Sequence, residues 1–530
     1  MSDALTRIHR SDEDLPRTRR KPTANGPRPV AVVDCGTSSV RAFLAEIHGA
    51  KQRILEDLFY LIDLTPGFTG GNLDHAAMTG VVEAFQAVQK AAAGYGITDI
   101  RAVGTSALRE AANSDVLIER LRLATGIELE IIECSEAARL YFEALRLLLE
   151  KLKRKLTGDT LMIDIGGGST VVSLIRDGKL VHTVDEHYGA VRCNELFKSL
   201  KDNRDFAITI DRFAFGAARM MMGRLPPMKV ANLVVTGGEV RRLVSLVARD
   251  QGLMTPLEAA AVDRWFAAMS RLTPMARAEA CGTDESGAAR LLPAACLIRH
   301  LAKVSGAKLV QVPQFTLRDG LLADLLPGAQ GPHHLDDGHL IAEAQQLVSR
   351  YGGNLSYAEN TASLAVQIFD QTMPMHGLGA RERSLLHFAA LVHDIGSFIN
   401  VRNRHKHTMY LIQACEIAGL TRIEKEMVAH IARYHRRAAP QAHHAGYQAL
   451  PRPNRVVVGQ LAALLRLAYG LDVERDSRIR KVRCERTRDR LLLRVDRRQI
   501  ALERWSIAGK SGLFKDVFGL AVEVVPREGE

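Results

Sequence analysis

Thr160-Leu-Met-Ile-Asp-Ile-Gly-Gly-Gly-Ser-Thr170, running on into Val171-Val-Ser-Leu-Ile175, reads as a buried strand, a carboxylate at its mouth, a glycine turn and a return strand. Glycines at 166, 167 and 168 let the backbone approach a bulky anion, and Ser169 and Thr170 add hydroxyl donors. Asp164 stands where a carboxylate can hold a divalent cation through water or orient a nucleophilic water. Most turns of this composition are only tight turns, so the stretch gains its weight from an echo 130 residues earlier.

That echo is Val30-Ala-Val-Val-Asp-Cys-Gly-Thr-Ser-Ser-Val-Arg-Ala-Phe-Leu44. Asp34 matches Asp164, Gly36 matches Gly166, and Ser39 matches Ser169, with Thr37 and Ser38 filling the turn. A repeated strand-turn-strand unit predicts two similar domains facing one cleft, each with an anion-binding turn. Two further glycine signals fit the same cleft. Strand Ile100–Val103 enters a helix through Gly104-Thr-Ser106, with Arg109 one turn along as a phosphate clamp, and Thr236-Gly-Gly238 ends another strand before a helix. Between them, Ser135 reads as the N-cap of a helix carrying Glu136 in its first turn.

The 530 residues suffice for several domains, and 47% hydrophobic with 25% charged residues is ordinary globular composition. No apolar run reaches the 18 residues a membrane helix needs, and the N-terminus lacks an apolar signal core, so a cytoplasmic protein is expected. Seven cysteines without a Cys-x-x-Cys pair argue against a disulfide framework or zinc site. The net charge of +11 points to anionic partners. Residues 1–28 read as a disordered basic tail, 29–140 and 141–328 as the two cleft domains, 329–470 as helical, and 471–530 as a small basic α/β domain. Between Glu474 and Arg498 stand 11 Lys or Arg against 5 Asp or Glu, by default a solvated basic face and, more sharply, a channel for a polyanion.

In order along the chain, these motifs resemble the exopolyphosphatase / guanosine pentaphosphate phosphatase family. The resemblance runs through Gly189-Ala-Val-Arg192, His393-Asp-Ile-Gly396 and Arg433-Tyr-His-Arg-Arg437. It implies an α/β fold of two actin-like (ribonuclease H-like) domains around a cleft, then a helical HD-like domain and a small C-terminal domain. It also implies Mg²⁺-dependent release of a terminal phosphate from polyphosphate or a phosphorylated guanine nucleotide, in a homodimer, with no membrane and no nucleic-acid partner. Phosphate binding carries over to Asp34, Gly36, Thr37, Ser38, Ser39, Arg109, Gly166, Gly167, Gly168, Ser169 and Thr170, with Gly104, Thr105, Ser106, Gly237 and Gly238 as further cleft residues. Asp164 is the metal-side carboxylate and Glu136 the remaining candidate base.

The chain departs from the family pattern at Ala137 and Val171, where the family carries glutamates. The leading expectation is a phosphoanhydride hydrolase acting on polyphosphate. The alternative is a catalytically weakened polyphosphate or nucleotide sensor. In the helical region Tyr357 and Tyr469 stand at metal-ligand positions of an HD domain. His393 and Asp394 are therefore expected to be a packed polar pair, and no metal is predicted there.

Overall fold

The computed structural model describes residues 27–65, 71–200, 205–248, 252–326, 337–417 and 419–526. The predicted tail, for residues 1–26, lies outside the described residues. The chain forms two compact units, Met1–Pro332 and His333–Glu530.

The first unit opens with β1 (Arg28–Cys35), β2 (Ser39–His48) and β3 (Lys51–Leu61), then helix α1 (His75–Gly94) and β4 (Ile100–Gly104). Helices α2 (Ser106–Glu110) and α3 (Ser114–Thr125), strand β5 (Leu129–Ile131) and helix α4 (Cys134–Lys151) follow. Five strands assemble in the order β3-β2-β1-β4-β5, with β1 antiparallel to β2 and parallel to β4. Both faces of β1 are buried, which is why it reads as an unbroken apolar run rather than an alternating one.

The second half repeats the plan. It runs through β6 (Asp159–Ile165), β7 (Thr170–Arg176), β8 (Lys179–Glu186), α5 (Ala190–Leu196), α6 (Asp205–Gly223), β9 (Val230–Thr236), α7 (Gly238–Val247) and β10 (Met254–Glu258). Helices α8 (Ala259–Met269), α9 (Pro274–Ala280) and α10 (Glu285–Ser305), strand β11 (Leu309–Pro313) and α11 (Leu317–Ala323) complete it. Its six strands take the order β10-β11-β9-β6-β7-β8, and β6 is antiparallel to β7 and parallel to β9. β6 therefore occupies the place in this sheet that β1 occupies in the first. The chain then doubles back, since α11 packs on α4 and shares an apolar cluster with Val30 and Val32 of β1. Helix α4 begins at Cys134 with Glu133 as its N-cap, so Ser135 lies inside the helix and does not cap it.

The second unit is helical before it is sheet. Helices α12 (Asp337–Arg350), α13 (Leu355–His376), α14 (Ala380–Val392), α15 (Arg404–Ala414), α16 (Arg422–Arg433), α17 (Ala445–Gln448) and α18 (Arg452–Leu471) precede β12 (Val482–Arg486) and β13 (Arg490–Val495). Helices α19 (Ala501–Ala508) and α20 (Gly512–Phe518) then lead to β14 (Ala521–Pro526). The three strands order as β12-β13-β14. An open strand edge invites pairing with foreign chains. Here α13 covers the edge of β12 with glutamines: Gln367 Oε1 accepts from Val482 N (3.1 Å), and Gln371 accepts from Cys484 N (2.9 Å) and donates to Val482 O (2.9 Å). One apolar core runs from Leu340 through the helices to Leu491 and Val524, so the small sheet and the helices form one body.

Candidate active site

The two hairpins that carry Asp34 and Asp164 are superposable in their bonding. Gly36 N donates to Ser39 O and Gly166 N to Ser169 O, each at 2.9 Å. Each turn thus closes over four residues, with Asp34 opposite Arg41 in one ladder and Asp164 opposite Val171 in the other. Carbonyls of the turns face inward to protein. Thr37 O and Ser38 O accept from Leu64 N and Ile62 N, while Gly166 O and Gly167 O accept from the first amides of α5. Gly168 O accepts from the buried Arg192 guanidinium at 2.6 Å. Among the described residues, the amides of Thr37, Ser38, Gly167, Gly168 and Ser169 donate to no other part of the chain. Consecutive unbonded N–H groups of this kind form an anion-binding nest.

The turns face each other closely. A Cβ on Gly167 would lie 3.2 Å from Thr37 Cβ, so any side chain there would close the gap. Thr37 Oγ1 meets Ser106 Oγ at 3.2 Å, and Thr105 N donates to Cys35 O, which brings the Gly104-Thr-Ser106 turn alongside the first hairpin. Gly237 has φ +136°, and a Cβ there would sit 2.2 Å from Ile165 O, against the strand end that carries Asp164. Both the backbone angle and the space require glycine. Gly237→Ala is therefore expected to lower the melting temperature and to displace the second turn, measurable together by calorimetry and by weakened phosphate-analogue binding.

Asp34 and Asp164 are both half-buried. Burial raises the Asp34 carboxyl despite opposing charge from Arg41, Arg318 and Arg241. Asp164 is pushed up to about 7 by burial, against the lowering effect of a hydrogen bond from Tyr141 and the charge of Arg241. Its Oδ1 is buried without a partner among the described residues. At Asp34, desolvation thus outweighs three guanidinium groups.

Arg41, Arg241, Arg318 and Tyr141 are the site residues that sequence reasoning missed. Arg41 Nε donates to Ser39 Oγ (3.0 Å), and its Nη2 reaches within 3.8 Å of the Cβ position of Gly238. Arg241, one turn into α7, donates to Phe315 O at 3.0 Å. Arg318, at the start of α11, is nearly fully buried over the Phe43 ring, 3.7 Å from its centroid, and pairs with Asp57. A register count from the first turn would have set Arg41 opposite Asp34. Spacing from Ala137 would have set Tyr141 one turn on, on the same helix face. Nothing local marks Arg318.

Two assignments are corrected. Glu136 is not available as a base: Arg139 Nε and Nη2 grip both of its oxygens at 2.8 Å, and Arg139 also holds Asp324. Arg101 closes the network, 2.9 Å from Asp324 and 3.7 Å from Glu136. Thr170 does not offer its hydroxyl proton to a ligand, because Oγ1 donates to Tyr188 O at 2.6 Å and the residue is fully buried. Arg109 remains at the edge of the site, oriented by Nη1 on Ile132 O (2.6 Å). Ala137 and Val171 both pack in apolar clusters.

Two descriptions of known phosphatase domains match this chain. Residues 67–329 match the Ppx/GppA phosphatase family, and residues 341–507 match Ppx/GppA phosphatase, domain III. The chain belongs to the Ppx/GppA phosphatase family. Among Ppx/GppA relatives, the guanosine-5'-triphosphate,3'-diphosphate pyrophosphatase of Aeromonas hydrophila is 25% identical over 416 residues, covering 75% of this chain and 79% of the relative. The protein of the same description from Aliivibrio fischeri is 22% identical over 410 residues, covering 77% and 80%. A solved exopolyphosphatase from Cytophaga hutchinsonii is 19% identical with a TM-score of 0.50, covering 57% of this chain and 99% of that one. That likeness concerns the fold, and it agrees with the two mixed sheets of the first unit.

In the second unit, His393 is fully buried, with Nδ1 at 2.7 Å from Ala390 O and Nε2 at 3.3 Å from Tyr357 OH. Asp394 is held by Arg404 and Arg475. Burial lowers His393, and lowers His435 well below the ordinary imidazole value. The sign follows directly: below about pH 6.5 the unfolded chain takes up protons on these rings and the folded chain does not. Stability of this unit is expected to fall as pH drops from 6.5 toward 4, with hydrogen exchange in α14 and α16 as the readout. A flat profile would contradict it.

Proposed function

We propose that the first unit hydrolyses phosphoanhydrides, releasing terminal phosphate from inorganic polyphosphate. The observation that carries this reading is the pair of mirrored turns whose free amides converge beside two deep carboxylates and three arginines. Phosphoryl transfer asks mainly for positioning and for neutralisation of charge on the moving group, and this arrangement offers both. The turn amides bind phosphate oxygens, and Arg41, Arg241 and Arg318 balance the remaining charge. Asp164 is the group suited to orient and deprotonate the attacking water, because its carboxyl is poised near neutrality and Oδ1 is unpartnered. That same orphaned oxygen fits a hard cation. Asp34 and Asp164 would hold Mg²⁺, which supplies charge neutralisation at the phosphoryl group when bound. The family membership favours hydrolysis over a binding-only sensor, although two glutamate positions are apolar.

A polymer substrate is supported by a cavity of about 480 Å³ on the second unit, lined by Arg480, Lys481, Arg483 and Arg494. Arg483 and Arg494 stand directly opposite in the β12–β13 ladder, with Arg494 Nε on Glu485 Oε2 at 2.7 Å. Charge reversal at Lys481 and Arg483 is expected to weaken long-chain polyphosphate binding about tenfold or more and nucleotide binding far less. Equal losses would remove the polymer preference. The second reading is a guanosine pentaphosphate phosphatase, favoured by the names of the curated relatives. Orthophosphate release from the two substrates, measured side by side with Mg²⁺, decides between them. The helical part of the second unit fits an HD-like domain that has lost its metal ligands, and a cytoplasmic homodimer remains the expected setting.

A further inference from the structure

A second concentration of positive charge lies wholly within the second unit. Arg404 and Arg466 are more than nine-tenths buried there, Arg436 and Lys510 are half-buried around them, and Arg475 is exposed at the edge. Asp394 is the carboxylate they share, with Arg404 Nε at 2.5 Å and Arg475 Nη1 at 2.9 Å. Arg466 spends its guanidinium on the carbonyls of Tyr434 (2.6 Å), Arg437 (2.7 Å) and Ala438 (2.8 Å). It thereby pins the segment that presents His435 and Arg436, in which Arg437 takes a left-handed φ of +62°. Among the described residues, neither Arg436 nor Arg466 forms an ion pair. Among the described residues, Lys510 donates only to Ser506, and its ammonium sits 5.4 Å from the centroid of the Tyr469 ring.

Such crowding of like charge is costly in a half-buried setting. Arg466 and Arg404 have structural bonds that explain their presence. Arg436 has none, and Lys510 has a bond to serine that a neutral donor would make equally well. Burial and mutual repulsion hold both Arg436 and Lys510 below their ordinary values. Beside them, His435 is fully buried with Nε2 unpartnered, its ring 4.8 Å from that of Tyr469. Tyr469 OH, which accepts from Arg404 Nη2 at 3.0 Å, is half-exposed at the rim.

We propose that this cup, formed by Arg404, Arg436, Arg475, Lys510, Tyr469 and His435, binds a compact, multiply charged phosphate anion. The arginines and the lysine balance its charge, and a protonated phosphate oxygen donates to His435 Nε2. The site stands independently of the reading of the cleft, since none of its residues lies in the first unit.

The test uses the full chain and inorganic pyrophosphate, followed by hydrogen exchange and by titration calorimetry at low salt. In the wild type, pyrophosphate is expected to slow exchange across residues 434–438. In the Arg436→Ser/Lys510→Ala double variant that protection is lost, and the binding component assigned to it weakens at least tenfold, while the melting temperature without ligand holds or rises. GDP in a parallel arm separates the sources: protection stronger than with pyrophosphate assigns a nucleotide, and equal or weaker protection assigns an inorganic anion. Protection reproduced by sodium chloride at equal ionic strength overturns the proposal. So does protection that survives in the double variant. The Arg436→Lys variant guards against misfolding, since it keeps the charge and is expected to retain most of the binding.

Discussion

Asp164→Asn is expected to lower phosphate release by about 10²–10⁴-fold, the usual cost of losing a positioned acid–base group. The substitution keeps the shape of the side chain and removes the negative charge. Tyr141 loses a charged acceptor but keeps a neutral one, and the neighbouring turn depends on Gly166 N and Ser169 O, which do not change. Binding of a phosphate analogue to the turn amides is therefore expected to persist or to tighten slightly, because a like charge has been removed from beside the anion. Single-turnover release together with analogue affinity separates the two effects. A variant that hydrolyses at the natural rate would exclude Asp164 as base and as metal ligand alike. Loss of both rate and binding would mean that the second turn had collapsed, which the thermal midpoint reports.

Arg139→Met is expected to be the most damaging single change to stability in the first unit, about 3–5 kcal/mol. Arg139 is almost fully buried, with its three guanidinium nitrogens on two carboxylates of equally low exposure. Those bonds, with Glu136 and Asp324 as partners, raise its own pKa far above the ordinary value in spite of burial. Methionine fills much the same volume but leaves Glu136 and Asp324 buried with Arg101 as their only ion-pair partner among the described residues. The removal of one member of a buried ionic cluster is costly for this reason, whereas the net worth of an intact cluster is small. Denaturant unfolding of the first unit checks it, and a shift under 1 kcal/mol would contradict it. Glu136→Gln supplies the matching contrast. It is expected to destabilise, yet to leave the rate per folded molecule within a few-fold of the natural value, since Glu136 binds arginine and not water.

The parts of the site that were legible in the sequence are those written in adjacent residues. The two hairpins announce themselves because a four-residue turn between apolar strands is a local object, and its repetition at Asp34 and Asp164 tells of a repeated sheet. Gly104-Thr-Ser106 and Thr236-Gly-Gly238 are legible for the same reason: each ends a strand and starts a helix. What was hidden depends on chain separation. Glu136 is gripped by Arg139 only three positions on, and what stays hidden is Asp324, 185 positions beyond that arginine, which fixes Arg139 in place. Arg318 looked like any helix arginine because the carbonyl it holds, Ala42 O, is 276 positions away. Thr170 read as a ligand hydroxyl, and only the return of the chain at Tyr188 shows where its proton goes. In each case a local pattern named the right residue type, and a distant partner then decided its role.

The same logic bears on Ala137 and Val171. Both sit where the resemblance implies glutamates, and both are packed against apolar neighbours rather than left as gaps. Tyr141, one helical turn beyond Ala137, bonds Asp164 instead. The proposed hydrolysis therefore places acid–base capacity at Asp164, whose carboxyl burial pushes up to about 7, and charge balance at Arg41, Arg241 and Arg318.

The most direct measurement is orthophosphate release over time from long-chain polyphosphate by the purified full chain with Mg²⁺. The account expects many turnovers per molecule and a rate that is set by the first unit, so that Gly237→Ala and Asp164→Asn both depress it. A chain that binds the polymer yet releases no phosphate from it or from guanosine pentaphosphate, at any concentration of Mg²⁺, would contradict the account at its centre.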